Sequence, residues 1–160
     1  MIIREYIRGE ELALRAVFLS AIRKIASRDY SPEQVEAWAP LDIDMSAWVD
    51  RISRLRPFVV TDGNIVVAYA DIQPNGYIDH FYVSGDHPRK GIGRLLMTHI
   101  MEEAKTRALP RVFSQVSITA QPFFERFGFV VVRRQTVEVR GVWLDNALME
   151  KAMVVARAKD

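Results

Sequence analysis

The chain contains no cysteine. That excludes a disulfide scaffold, a thiol nucleophile and a thiolate metal site. No apolar run approaches the ~20 residues that a membrane-spanning helix needs. The opening MIIREYIRGEE has no basic segment followed by an apolar core, so no secretory signal is read. A soluble, cytoplasmic protein with no membrane partner is expected. Excess charge is scarce as well: 22 Lys and Arg against 20 Asp and Glu leave only +2. With so small an excess, a pI near 9.0 does not by itself argue for a nucleic-acid partner. Of the three histidines, His87 and His99 stand far in sequence from other plausible ligands, so no metal site is expected.

What is present suits one domain over residues 1–160. The length and a hydrophobic content of 49% allow a single core, and a charged fraction of 26% is ordinary for a folded chain. A short strand is expected at Ile2–Tyr6. Leu14, Val17, Phe18, Ala21, Ile22 and Ile25 recur at threes and fours, which predicts a core-facing helix over Glu10–Ala26. A second helix starts at SPEQ, with Ser31 as cap, Pro32 at the first helical position and Gln34 completing a capping box. A third covers Met45–Leu55. PFVVTDGNIVVAYADI reads as a hairpin turning at Asp62-Gly63, and Pro74–Gly76 turns the chain into a strand over Tyr77–Val83. A helix to about Ala108, a strand from Pro110, a short helix ended by Gly128 and two strands around Gly141 complete a mixed α/β order.

The segment YVSGDHPRKGIGRLL carries the chemistry. Gly91 and Gly93 open a helix, and amides at a helix start are unpaired donors in a favourable dipole, hence an anion site. Two phosphate fingerprints fail. The dinucleotide pattern needs a third glycine where Leu96 stands, and the Walker pattern needs Lys and Ser or Thr where Gly93 is followed by Arg94 and Leu95.

YIDHFYVSGDHPRKGIGRLL closely resembles the central motif of the GNAT acetyltransferase superfamily, and VSITAQPFFERFGF resembles that family's later segment, with Ala120, Gly128 and Phe129 at the matching spacing. The resemblance implies a GNAT-type acyl-CoA N-acyltransferase fold: α/β, with a mixed, mostly antiparallel sheet and helices on both faces. It also implies acetyl-CoA as co-substrate. The loop amides of Lys90, Gly91, Ile92, Gly93 and Arg94 would hold its pyrophosphate with help from the Arg89 side chain. Strand Phe81, Tyr82 and Val83 would run beside the pantetheine, and Ser117 and Phe124 would contact that arm. Two departures stand out. Pro88 takes the place of a polar residue that donates from backbone and side chain, and Phe124 takes the place of a frequent Tyr, so no phenol is offered to the departing thiolate.

Side chains alternate across a strand, so Tyr77, Asp79, Phe81 and Val83 are expected on one face, and Ile78, His80 and Tyr82 on the other. Asp79 and Tyr77 would then project toward an incoming amine, with Asp79 as general base and His80 as runner-up. Tyr30 and Trp38 flank the second helix, where the family shapes its acceptor pocket. The expected activity is N-acetylation of a small-molecule or peptide amine by direct attack on the thioester, because Ser117 lacks a partner base for a covalent route. A non-catalytic acyl-CoA-binding module is the alternative, and a homodimer is left open.

Overall fold

The computed structural model describes residues 1–87 and 90–154. The elements, in chain order, are β1 (Ile2–Glu5), α1 (Glu11–Ser20), α2 (Pro32–Trp38), α3 (Met45–Leu55), β2 (Phe58–Asp62), β3 (Ile65–Ala70), β4 (Tyr77–Ile78), β5 (Phe81–Val83), α4 (Ile92–Thr106), β6 (Arg111–Ser117), α5 (Gln121–Arg126), β7 (Val130–Val139) and β8 (Val142–Ala152). α1 does not stop at Ser20. It widens into a π-helical turn at Ala21–Ile25 and tightens into a 3-10 turn at Ala26–Arg28, a local irregularity that periodicity alone does not foresee.

The strands form two four-stranded sheets, ordered β1-β2-β3-β5 and β4-β6-β8-β7. Every pairing is antiparallel except β4 with β6. Helices cover both faces. α4 lies over a core of Val60, Ala68, Ile78, Leu96, Met97, Ile100, Val112 and Met149 that spans both sheets. On the other side α1, α2 and α3 close over Leu14, Phe18, Ile22, Trp48, Ile52, Val59 and Tyr69. The mixed, mostly antiparallel architecture expected from the sequence is thus the one observed. Among the described residues, no helix is long and apolar enough to cross a membrane.

Two local readings need correction. The first hairpin closes on the pair Asp62/Ile65, so its two-residue turn is Gly63-Asn64, one place later than expected. A register shift between Val60 and Thr61 adjusts the ladder ahead of it. More consequential is the segment Tyr77–Val83, which is two strands rather than one. Tyr77 and Ile78 pair with β6, whereas Phe81, Tyr82 and Val83 pair with β3. The break at Asp79 and His80 shifts the alternation by one step. Ile78 therefore packs in the same core as Phe81 and Val83. Tyr82 joins the opposite core, and His80 packs there beside Phe18 and Trp48.

Candidate active site

The break makes a fork. β4 runs parallel to β6 for the two pairs Tyr77/Phe113 and Ile78/Ser114, and then the chain leaves β6 to join β3. In an antiparallel ladder, alternate residues turn their backbone groups toward the partner. Asp71 N donates to His80 O at 3.1 Å and Ser84 N to Val67 O at 2.8 Å. In that register Tyr82 also faces β3, and the N–H and C=O groups of Phe81 and Val83 point away from it, into the fork.

A cavity of about 920 Å³ fills the opening, within the size range of small-molecule sites. Phe81, Tyr82 and Val83 form one wall, and Ser117 with Phe124 another. Lys90, Gly91, Ile92, Gly93 and Arg94 form its far end, where α4 begins. Gly91 is the helix cap at φ 69°, and as a glycine it offers no side-chain hydrogen bond to the first amides of α4. Among the described residues, a Cβ there would meet nothing within 4 Å. At Gly93 a Cβ would lie 3.2 Å from the Phe123 ring, so the residue is small because α5 packs close. Arg89 and Pro88 lie outside the described residues.

Phe124 is 3% exposed and packs edge-on against Phe81 and Phe129, at 5.7 and 5.0 Å between ring centroids. The Ser117 hydroxyl accepts from Ala120 N at 3.2 Å, which leaves its own proton to offer. Trp38 closes the cavity beside Tyr82, with its ring 5.4 Å from Tyr30. Tyr30 itself is a brace behind Trp38. Its hydroxyl donates to Asp145 O at 2.6 Å and accepts from Ile118 N at 2.9 Å, so its polar atom is committed to β8 and the β6–α5 turn.

The three residues expected at the acceptor end do not line this cavity. Tyr77 packs at a tilt against Phe113, with ring centroids 5.1 Å apart, and its hydroxyl takes a hydrogen bond from Gln115 Nε2 at 3.2 Å. The Asp79 carboxylate accepts from Arg51 at 2.7 Å and keeps 27% of its side chain in solvent. His80 is buried, its Nδ1 3.0 Å from the Tyr69 hydroxyl. Burial, aided by Arg51 and Arg15, pushes its pKa down to about 3, so the ring is neutral and a weak proton acceptor at neutral pH. His80 belongs to an aromatic core with Phe18, Trp48, Tyr69 and Tyr82.

Several contributors escaped the sequence reading. Ala21, Ile22, Ile25 and Ala26, from the π-helical turn onward, line the cavity, as do Thr119 and, from α5, Phe123. Phe123 had a signal, since it adjoins Phe124 in a run of aromatics. Asp71 had only a weak one, an acid just after the apolar strand IVVAYA. It is fully buried, and burial raises its pKa to about 6, against the opposing pull of hydrogen bonds from Gln73 and His80.

Known proteins share the sequence pattern and the fold. A family model described as an acetyltransferase (GNAT) domain matches residues 26–151. The N-acetyltransferase YafP of Escherichia coli (strain K12), itself uncharacterized, is 34% identical over 154 residues, covering 92% of this chain and 93% of that protein. A crystal structure from Rhodopseudomonas palustris, described as a GCN5-related N-acetyltransferase and class-II aminotransferase, superposes with a TM-score of 0.90 at 29% identity, covering 95% of each chain. The acetyltransferase YncA of Salmonella typhimurium, solved with its cofactor acetyl-CoA, shares the fold at a TM-score of 0.68 and 20% identity, over 100% of this chain and 98% of that one.

Proposed function

Because the chain belongs to the GNAT acetyltransferase family, we propose that it transfers the acetyl group of acetyl-CoA to a primary amine by direct attack on the thioester. The observation that carries this reading is the fork. Backbone groups of Phe81 and Val83, directed away from β3, face a cavity that runs to the glycine-capped start of α4.

Acetyl-CoA supplies an acyl group already activated as a thioester. The protein's part is to bind and orient. The amides at the start of α4, with Lys90 and Arg94, suit the pyrophosphate. Phe81 and Val83 offer strand-like hydrogen bonds to an extended amide-bearing arm, as an added strand would use them. Phe124 and Phe123 exclude water from the reacting end, and Trp38 with Tyr82 bounds the side from which an amine enters. We assign proton acceptance to Asp79, which stands at the fork but outside the cavity wall and so acts through water. With Phe124 in place of a phenol, the thiolate takes its proton from solvent; a thiol pKa of ~8.5 makes it a tolerable leaving group unaided.

The test is thiol release from acetyl-CoA with a panel of amines: polyamine, aminoglycoside, amino acid and peptide amino terminus. Amine-dependent release is expected for at least one class, and Asp79→Asn should lower that rate by ~10²-fold if proton transfer limits it. Tight acetyl-CoA binding with no release under any amine would leave a binding module instead of an enzyme. An unchanged rate in Asp79→Asn would return the proton to water or substrate.

A further inference from the structure

The fork needs a cause, because β-branched and aromatic residues on both sides of Asp79-His80 would pair on as one strand. In an unbroken ladder, Asp71 O would receive the His80 amide in exchange for the bond that Asp71 N makes to His80 O. Here the Asp71 side chain takes it instead. Its Oδ1 accepts from His80 N at 2.6 Å and from Asp79 N at 3.0 Å, so one carboxylate oxygen collects both amides of the break. Its Oδ2 accepts from Gln73 Nε2 at 2.7 Å, and the same Gln73 nitrogen reaches Leu55 O at 3.2 Å. The carboxylate is therefore anchored at both ends while wholly buried. On the other prong, buried Ser114 donates from its hydroxyl to Ile78 O at 2.7 Å, at the last step where β4 and β6 still pair. A side chain thus ends each ladder where the strands part.

We propose that Asp71 is a positioning residue for acyl transfer: by holding the Asp79 and His80 amides it keeps β5 off β6, leaving the backbone groups of Phe81 and Val83 free to hold the thioester and the arm behind it. The inference rests on the acetyl-CoA reading given above. It assigns Asp71 no contact with substrate. Its effect is confined to the forked half of the cavity, because the start of α4 is held by other contacts, chiefly the packing of Ile92 and Leu96 in the core.

That separation supplies the test. Calorimetric titration of the intact protein compares acetyl-CoA with 3′-phosphoadenosine 5′-diphosphate, the nucleotide half of CoA, which reaches only the helix start. Asp71→Ala should weaken acetyl-CoA by about tenfold or more, the scale of lost charge-assisted hydrogen bonds, while the nucleotide half holds within about twofold. Asp71→Asn keeps an acceptor oxygen and should recover most of the loss. Ser114→Ala, a milder lesion that keeps the measurement available should Asp71→Ala not fold, should show the same split in smaller degree. Equal weakening of both ligands, or undiminished acetyl-CoA affinity in these variants, would overturn the proposal. Failure of the wild-type protein to bind acetyl-CoA at all would instead overturn the functional reading on which it rests, and the two failures are distinguishable.

Discussion

Single side chains at the fork hold roles that their type alone does not announce. Asp71 is the clearest. With a folded pKa near 6 against an ordinary value near 3.9, the folded protein keeps a proton that the unfolded chain has released between about pH 4 and pH 6. Its contribution to stability is therefore full below pH 4 and falls as pH rises through 6. Asp71→Asn removes that slope while keeping an oxygen for the two amides. Urea unfolding at pH 4.5 and pH 7 should show the variant gaining on the wild type by roughly 2 kcal/mol over the interval. A constant difference would mean the carboxylate is already ionised at the lower pH. Ser117 and Phe124 were legible because they sit in a spaced motif. Asp71 was not, because its partners are backbone amides exposed only by a strand break.

Elements were legible where a local signal closes on itself. The capping box of α2 is present as read, with Gln34 N donating to Ser31 Oγ at 3.1 Å and Ser31 N to Gln34 Oε1 at 2.8 Å. α3 spans the range expected, started by the Asp44 side chain. The glycine-led start of α4 is likewise local, and it carries a prediction. Gly91 and Gly141 both lie in the left-handed region, at φ 69° and 79°, with open space where a Cβ would stand. Valine at either place incurs a backbone strain of ~1–2 kcal/mol. Gly91→Val should in addition abolish most acetyl-CoA affinity, whereas Gly141→Val in the β7–β8 turn should not, as titration of both variants would show. Comparable losses in the two would mean that strain, rather than occupation of the site over α4, governs binding. The π-helical turn after α1 and the division of Tyr77–Val83 were not legible, since each is decided by what the segment packs against.

At the scale of the whole molecule the cavity is the seam between two sheets, with β5 on one and β6 on the other. A ligand lodged there contacts both, so its binding energy should appear as stability of the entire fold. Acetyl-CoA at ~100 times its dissociation constant should add ~2.7 kcal/mol, a rise in melting temperature of roughly 5–10 °C for a chain of this size. Thermal melts with acetyl-CoA and with ATP would check it; equal stabilisation by ATP alone would argue for another ligand. The sequence by itself determined the element order, the amphipathic helices, the capped starts and the glycine-led helix that suits a phosphate, because each depends on residues near one another along the chain. Tertiary structure alone decided that one strand becomes two, that His80 lies in an aromatic core while Asp79 meets Arg51, and that Tyr30 is a brace. Those outcomes depend on which backbone groups, rings and charges arrive beside each residue once the chain has folded, as the Asp71 carboxylate meets the two amides of the break.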